Sequence, residues 1–416
     1  MRQALCALLC CMLAGAVAAA DYRAGAEDYR DYLRRLQPGD RLLLDTGEYR
    51  QGLPLNGLSG RAAQPIIIEA ADPAAPPRFV ARPHANTVSL VDVRYLVLRH
   101  LELDGRNLPV DAVKAEGHSH YADFITLEQL YIHDHAASQQ NVGISTKCPA
   151  FGWVVKGNHI ERVGTGMYFG DSDGSDAFVG GVIESNRVAA TLGYNLQIKH
   201  QKARSAEYTD RYDTLIRYNV FSKQDAFPGS QARPNVLLGH LPLTGAGSED
   251  RYLVYGNLFL NNPDEALLQA EGRVAVYDNV FINGSGDAIH IQPHNDVPRD
   301  MVIFSNTVLA SGVGIQVRQA EGTPYHQRVI ANVVAASTPL QGGDATHNVT
   351  QDYRPDLLKV AVPELVARLR AQSQSPRRLP DALVRELADY PDWLGASPPG
   401  ARTAPALLRT LDAVQP

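Results

Sequence analysis

One four-residue phrase recurs seven times between residues 157 and 334: 157-GNHI-160, 185-SNRV-188, 218-YNVF-221, 256-GNLF-259, 278-DNVF-281, 305-SNTV-308 and 331-ANVV-334. Its asparagines lie 22 to 38 residues apart. The shortest interval is about one turn of a solenoid built from three short strands, and the longer intervals are that turn with a loop inserted. Few folds accommodate a fixed phrase with insertions of variable length. An asparagine at each turn has a physical reason: its side chain tolerates left-handed backbone and can bond the asparagine of the next coil. Asn158, Asn186, Asn219, Asn257, Asn279, Asn306 and Asn332 are therefore expected to form a structural ladder. Two places on, Phe221, Phe259 and Phe281 are expected to stack inside the solenoid.

A second set of phrases alternates apolar and polar residues, the period of a strand with one buried face. These are 143-GISTK-147, 166-GMYFGD-171, 195-NLQIKHQKAR-204, 235-NVLLGH-240, 265-EALLQAEG-272, 288-AIHIQPH-294 and 314-GIQVRQ-319. Aligned by their inward residues, they expose Ser145 and Lys147; Tyr168 and Gly170; Gln197 and Lys199; Leu237 and Gly239; Leu267 and Gln269; His290 and Gln292; and Gln316 and Arg318. His200, His240 and His294 follow the strand ends. Such a wall is rich in hydrogen-bond donors, which suits a sugar polymer carrying carboxylates. Gln197, His200, His240, Gln269, Gln292, Arg318 and Lys147 are the expected substrate contacts. Lys199 is the sharpest candidate, because the chain has seven lysines among 39 basic residues and a lysine can be tuned to act as a base.

The N-terminal coils carry a resemblance. In 36-LQPGDRLLLDTGEYRQGLPLNGLSGRAAQPIIIEA-70, Pro-Gly-Asp makes a turn, Arg41–Leu44 a strand, and Ile66–Glu69 a second strand rich in β-branched residues. This stretch resembles the opening coils of right-handed parallel β-helix enzymes of the pectate-lyase-like superfamily, most closely polysaccharide lyase family 6 (alginate lyase and chondroitin B lyase). The resemblance implies an all-β, right-handed parallel β-helix of roughly ten coils acting on an acidic, uronate-containing polysaccharide. In that family a lysine removes the proton next to the uronate carboxylate and an arginine assists. Carried over, Lys199 is the base, with Arg233 or Arg204 as its partner and Tyr168 in the same cleft. A second phrase, 287-DAIHIQPHND-296, loosely resembles the Asp-Pro-His-Asp of periplasmic mannuronan C-5 epimerases, which makes His290 and His294 alternative catalytic groups. Here Gln292 replaces the first aspartate, and Asn295 is inserted before Asp296. Lysis, C-5 epimerisation and non-catalytic, export-associated binding of polysaccharide all remain open at this point.

In 171-DSDGSD-176, Asp171, Asp173 and Asp176 are interspersed with small residues at calcium-like spacing, and calcium use in the lyase family makes calcium a candidate cofactor. His118, His120 and the run 131-YIHDH-135 read as loop residues without metal partners. A formal net charge of −6 argues against a nucleic-acid partner.

Residues 1–20 read as a secretory signal, with Arg2, an apolar run from Ala4 to Val17, and the small residues Ala18, Ala19 and Ala20. That implies a periplasmic or secreted protein with no membrane span after cleavage. The mature chain would hold one thiol, Cys148, and thus no internal disulfide. The solenoid is expected over 21–351, opened by a short helix within 21–36. Leucines and alanines at helical spacing, punctuated by prolines, predict a helical extension over 352–416 that packs on the solenoid and could cover its open end.

Overall fold

A computed structural model describes residues 19–204, 209–223, 229–371 and 379–393. Most of the expected leader, residues 1–18, lies outside them. The chain winds as a parallel β-helix with three faces. Face one is a 13-stranded sheet running from Asp21–Ala24 to Asp344–Thr346. Faces two and three form one 21-stranded sheet, because strands such as Thr307–Val317 pass around the corner between them with a register shift from Ala310 to Val313. Every pairing between these strands is parallel, and most strands pair with the coil before and the coil after.

The core follows from this register. Ile132, Ile160, Val188, Phe221, Phe259, Phe281, Val308 and Val334 pair in sequence on face two, all fully buried. Phe259 and Phe281 stack at 4.4 Å, while Phe221 and Phe259 are tilted at 5.4 Å. Cys148 is a buried, unpaired thiol within this core.

The asparagine ladder is continuous. The Nδ2 group of Asn158 donates to Oδ1 of Asn186, which donates to Asn219, and so through Asn257, Asn279, Asn306 and Asn332, each step 2.9–3.0 Å. It runs one rung further than expected, to Asn348. The left-handed residue is not the asparagine. It is the residue before it: Gly157, Ser185, Tyr218, Gly256, Asp278, Ser305, Ala331 and His347 all have φ between 51° and 64°. The asparagine itself is spent on satisfying buried backbone, its amide also bonding carbonyls such as Ile216 O, 2.8 Å away.

The short helix α1, Tyr29–Leu33, closes the N-terminal end by setting Tyr29 against Tyr49 and Phe79. A strand, Asp21–Ala24, precedes it. At the other terminus, α2 (Val362–Ala371) and α3 (Asp381–Leu387) lie along the flanks. Leu365, Val366 and Leu369 of α2 cover the outside of face two at Val280, Ile282 and Leu309. Leu387, Tyr390 and Trp393, in and after α3, cover face one at Tyr255, Tyr277 and Phe304. The strands beneath are therefore apolar on both sides, as in Val280–Asn283, whereas face-three strands alternate, as in Ile289–Ile291. Among the described residues, the extension covers parts of faces one and two and none of face three. No helix among the described residues is long and apolar enough to cross a membrane.

Candidate functional site

Face three carries the wall. Ser89, Lys114, Ser145, Tyr168, Gln197, Leu237, Gln269, His290, Gln316 and Gln341 pair coil to coil in one outward column. One rung corrects the sequence alignment. Gln269, not Leu267, stands in this column, and Leu267 is fully buried, because Leu268 is inward in either frame and Ala266 and Ala270 both fit as its inward partner. Backbone bonds continue the ladder past the strand ends, so a second column reads Lys147, Lys199, Gly239, Glu271, Gln292 and Arg318, with Gly170 between the two lysines. Arg318 is exposed and lies four coils from Lys199, about 19 Å at ordinary strand spacing.

Two adjoining cavities open on these columns. One has a volume of about 640 Å³ and is bordered by Asp111, Lys114, Lys147 and Tyr168. The other, about 260 Å³, is bordered by Lys199, His200, Glu265, Gln269, Glu271, Gln292 and His294. Tyr194, Gln197 and Arg233 border both and mark the junction.

The lysine pair flanks Gly170. Lys147 Nζ lies 3.5 Å from the centre of the Tyr168 ring and donates to Gly170 O at 3.4 Å. Burial pulls its pKa down to about 8; Asp111 and Asp171 oppose the shift, while Lys114 and Lys199 add to it. Lys199 is half-buried and also lowered by burial, with Asp171 opposing. Among the described residues its amine has no hydrogen bond or ion pair, so it is not the surface salt bridge a lysine on a strand usually makes. Gly170 has φ 88°, and a Cβ there would sit 3.2 Å from Lys199 Cβ, so a side chain would crowd the lysine.

Arg233 is held from below. Its carbonyl accepts from Lys223 Nζ and from Asn262 Nδ2, both at 2.8 Å, and its guanidinium lies 6.0 Å from the Tyr194 ring. Lys223 is buried, and burial lowers its pKa to about 8. Arg204, the other sequence candidate for a partner, is instead locked in a buried ion pair with Asp250. That pair anchors a loop and leaves Arg204 unavailable to a ligand.

The histidines divide. His200 and His240 stack at 5.3 Å, and His200 is held below its usual pKa by burial, His240 and Lys199. His290 is bound to Asp287 at 2.8 Å, one coil past Gln269. His294 is exposed; its backbone N–H and those of Asn295 and Asp296 donate to Glu271. The run 131–135 proves to be a strand rather than a loop, and its His133 bonds Asp134 at 2.7 Å and Glu102 at 3.2 Å. His118 and His120 likewise find carboxylates, Asp176 and Asp92, because the partners come from neighbouring coils.

The expected calcium loop does not fit that ion. Both oxygens of Asp171 accept from the loop itself, from Asp176 N and Ser175 Oγ. Asp173 points to solvent beside Lys202, and Asp176 is engaged by the His118 imidazole. His118, Asp171 and Asp176 cluster, but calcium takes six to eight oxygen ligands. The two buried carboxylates and a nitrogen donor do not supply such a shell.

Sequence reading missed Asp111, Lys114, Tyr194, Lys223, Glu265 and Glu271. A signal existed for two of them, since 111-DAVKAEG-117 repeats the pattern of 287-DAIHIQP-293 and would have set Lys114 opposite His290 in the column.

No family model matches the chain, and no curated protein matches it either. Solved structures do. A GH136 lacto-N-biosidase from Eubacterium ramulus matches with TM-score 0.54 at 17% identity, over 80% of this chain and 68% of that one. A PL6 family alginate lyase matches with TM-score 0.51 at 12% identity, over 80% and 53%. The mannuronan C-5 epimerase A-module of Azotobacter vinelandii gives TM-score 0.44 at 18% identity, over 75% and 91%. Identities this low carry the fold alone: the chain is a parallel β-helix, as the sheet register already shows.

Proposed function

We propose that this protein is an exported lyase that cuts an acidic, uronate-containing polysaccharide by β-elimination. The observation that carries this reading is the gathering of amines on one face. Of seven lysines in the chain, Lys114, Lys147 and Lys199 line the groove and Lys223 lies beneath it, in a protein whose usual basic residue is arginine. Burying amines is costly and is rarely done for stability alone. The leader-like residues 1–20 support export to the periplasm or beyond.

The two flanking lysines suit different roles. Lys147, fixed over Tyr168 and bonded to Gly170 O, is a held cation beside the sugar carboxylate. Lys199, without a bond of its own, is the base. Its neutral amine takes the C5 proton, the electron pair forms the C4–C5 double bond, and the C4–O glycosidic bond breaks. Arg233 and Lys147 stabilise the enolate-like charge that develops on the carboxylate. The leaving oxygen needs a proton, and Tyr194, kept protonated by a pKa that burial raises, stands at the junction to donate it. The PL6 alginate lyase shares the fold, which is compatible with this chemistry.

The test is ultraviolet absorbance of the unsaturated uronate product after incubation with alginate, pectate, chondroitin and hyaluronan. Lys199→Ala should lose turnover by about a thousandfold with an unchanged melting temperature. Unchanged turnover would move the base elsewhere on the wall. Deuterium exchange at C5 without the chromophore would replace elimination by epimerisation, and neither signal on any polymer would leave a binding solenoid.

A further inference from the structure

The two cavities differ in charge. The larger sets Lys114, Lys147 and Arg233 against the single carboxylate Asp111. In the smaller, Lys199 and Arg233 face Glu265 and Glu271, and the floor turns apolar with Leu237 and Gly239. That floor is fixed by packing. A Cβ on Gly239 would come within 2.3 Å of His200 N, so the coil can present no longer side chain there. Glu271 is fixed in place, since three backbone N–H groups converge on its carboxylate. Glu265 is oriented into the cavity rim by the Gln269 amide, 2.7 Å away. A sugar carboxylate is drawn to the first cavity and repelled by two fixed anions in the second.

We infer that the groove takes a mixed polymer, with a uronate over the larger cavity and an uncharged sugar over the smaller one, rather than a run of uronates. The uncharged ring lays its C–H face on Leu237 and Gly239, and its hydroxyl or amide groups meet Glu265, Gln269 and Gln292. The groove thus excludes a homopolyuronate through repulsion as well as selecting the copolymer through fit. This rests on the uronate-lyase reading, whose base Lys199 borders the smaller cavity beside the junction residues Gln197 and Arg233; the charge change along the groove stands as a binding property even if no bond is cut.

The experiment is calorimetric titration of the full chain carrying Lys199→Met, which blocks turnover, with hexasaccharides of four kinds. Two alternate a uronate with a neutral sugar, one with N-acetylhexosamine and one with hexose; the third is all uronate and the fourth all neutral. At least one alternating hexasaccharide should bind tenfold or more tighter than both uniform ones. Glu265→Gln should then raise affinity for the all-uronate hexasaccharide about fivefold or more. An all-uronate or all-neutral hexasaccharide binding as tightly as the alternating pair overturns the inference. So does an all-uronate affinity that Glu265→Gln leaves unmoved, and so does the absence of binding by all four. Wild-type chromophore assays on the parent polymers are read separately, so failure of lysis and failure of this selectivity are distinct results.

Discussion

Lys147 is the residue whose charge should be easiest to see. Burial lowers its pKa from the usual 10.5 to about 8. Below that value the amine is charged in both the folded and unfolded chain, and its burial burdens the fold. As pH rises from about 8 towards 10.5 the unfolded chain holds the proton more tightly than the folded one, so stability contributed by this site rises with pH. Ligand binding should move the other way. Affinity for a uronate hexasaccharide is expected to fall as pH climbs through about 8, because the cation facing the carboxylate is lost. Lys147→Arg should remove that step while keeping the affinity, and Lys147→Met should remove both, in titrations across about pH 6.5 to 9. Lys223 titrates in the same window, and Asp111, Lys114, Asp171 and Lys199 face Lys147. A step that persists in Lys147→Arg and vanishes in Lys223→Met would transfer it to the support under Arg233. The visibility of these residues in sequence follows from their partners. Gln197 and Lys199 announced themselves through strand alternation within a single phrase. Lys223 did not, because what matters about it is a carbonyl ten residues on, at Arg233. Glu271 was hidden by the spacing Ala266, Leu268, Ala270, which allowed the frame to slip by two.

At the level of the element, the asparagine ladder converts local turns into one continuous column, and its rungs are not equivalent. Asn257 Oδ1 accepts both the backbone N–H and the side-chain amide of Asn219. Asn158, the first rung, accepts only the backbone N–H of Leu130, whose side chain is apolar. Asn257→Leu therefore strands two buried donors and Asn158→Leu strands one. At about 1–3 kcal/mol for each unsatisfied group, Asn257→Leu should be the more destabilising by roughly that amount in denaturant unfolding. Equal losses would mean that the column acts through packing rather than through its hydrogen bonds. The ladder itself was legible because an asparagine phrase with variable insertions has few physical explanations. Its eighth rung was not, since 347-HNVT-350 follows Asn332 by 16 residues, well under a full coil of the earlier kind. Nor was the left-handed corner, because glycine, serine, alanine, tyrosine, aspartate and histidine all occupy it and no residue type marks it.

In the whole molecule, the C-terminal extension decides which face can hold a polymer. It was expected to pack on the solenoid, as a cover for its open end; its helices pack along the outsides of faces one and two, and the amphipathic pattern of 362–371 gave helix type but not docking site. Its covering role is most concrete on face one. Tyr255, Tyr277 and Phe304 stack there at 4.8 Å intervals, and Tyr390 and Trp393 lie over them. The Tyr277 hydroxyl donates to Pro391 O at 2.7 Å. Removing residues 352–416 would bare that aromatic row and the apolar patch at Val280, Ile282 and Leu309 together, on a molecule whose strands already present long parallel faces. Exposed apolar area of this kind drives association. The truncated chain is therefore expected to bind hydrophobic dye and to self-associate in light scattering at concentrations where the full chain does not. Uronate-oligosaccharide binding per folded molecule should survive, because among the described residues none that borders the two cavities comes from the extension. Loss of binding in a truncated chain that stays monomeric would show instead that the extension sets the geometry of face three through the coils, and that the groove cannot be treated as a property of the solenoid alone.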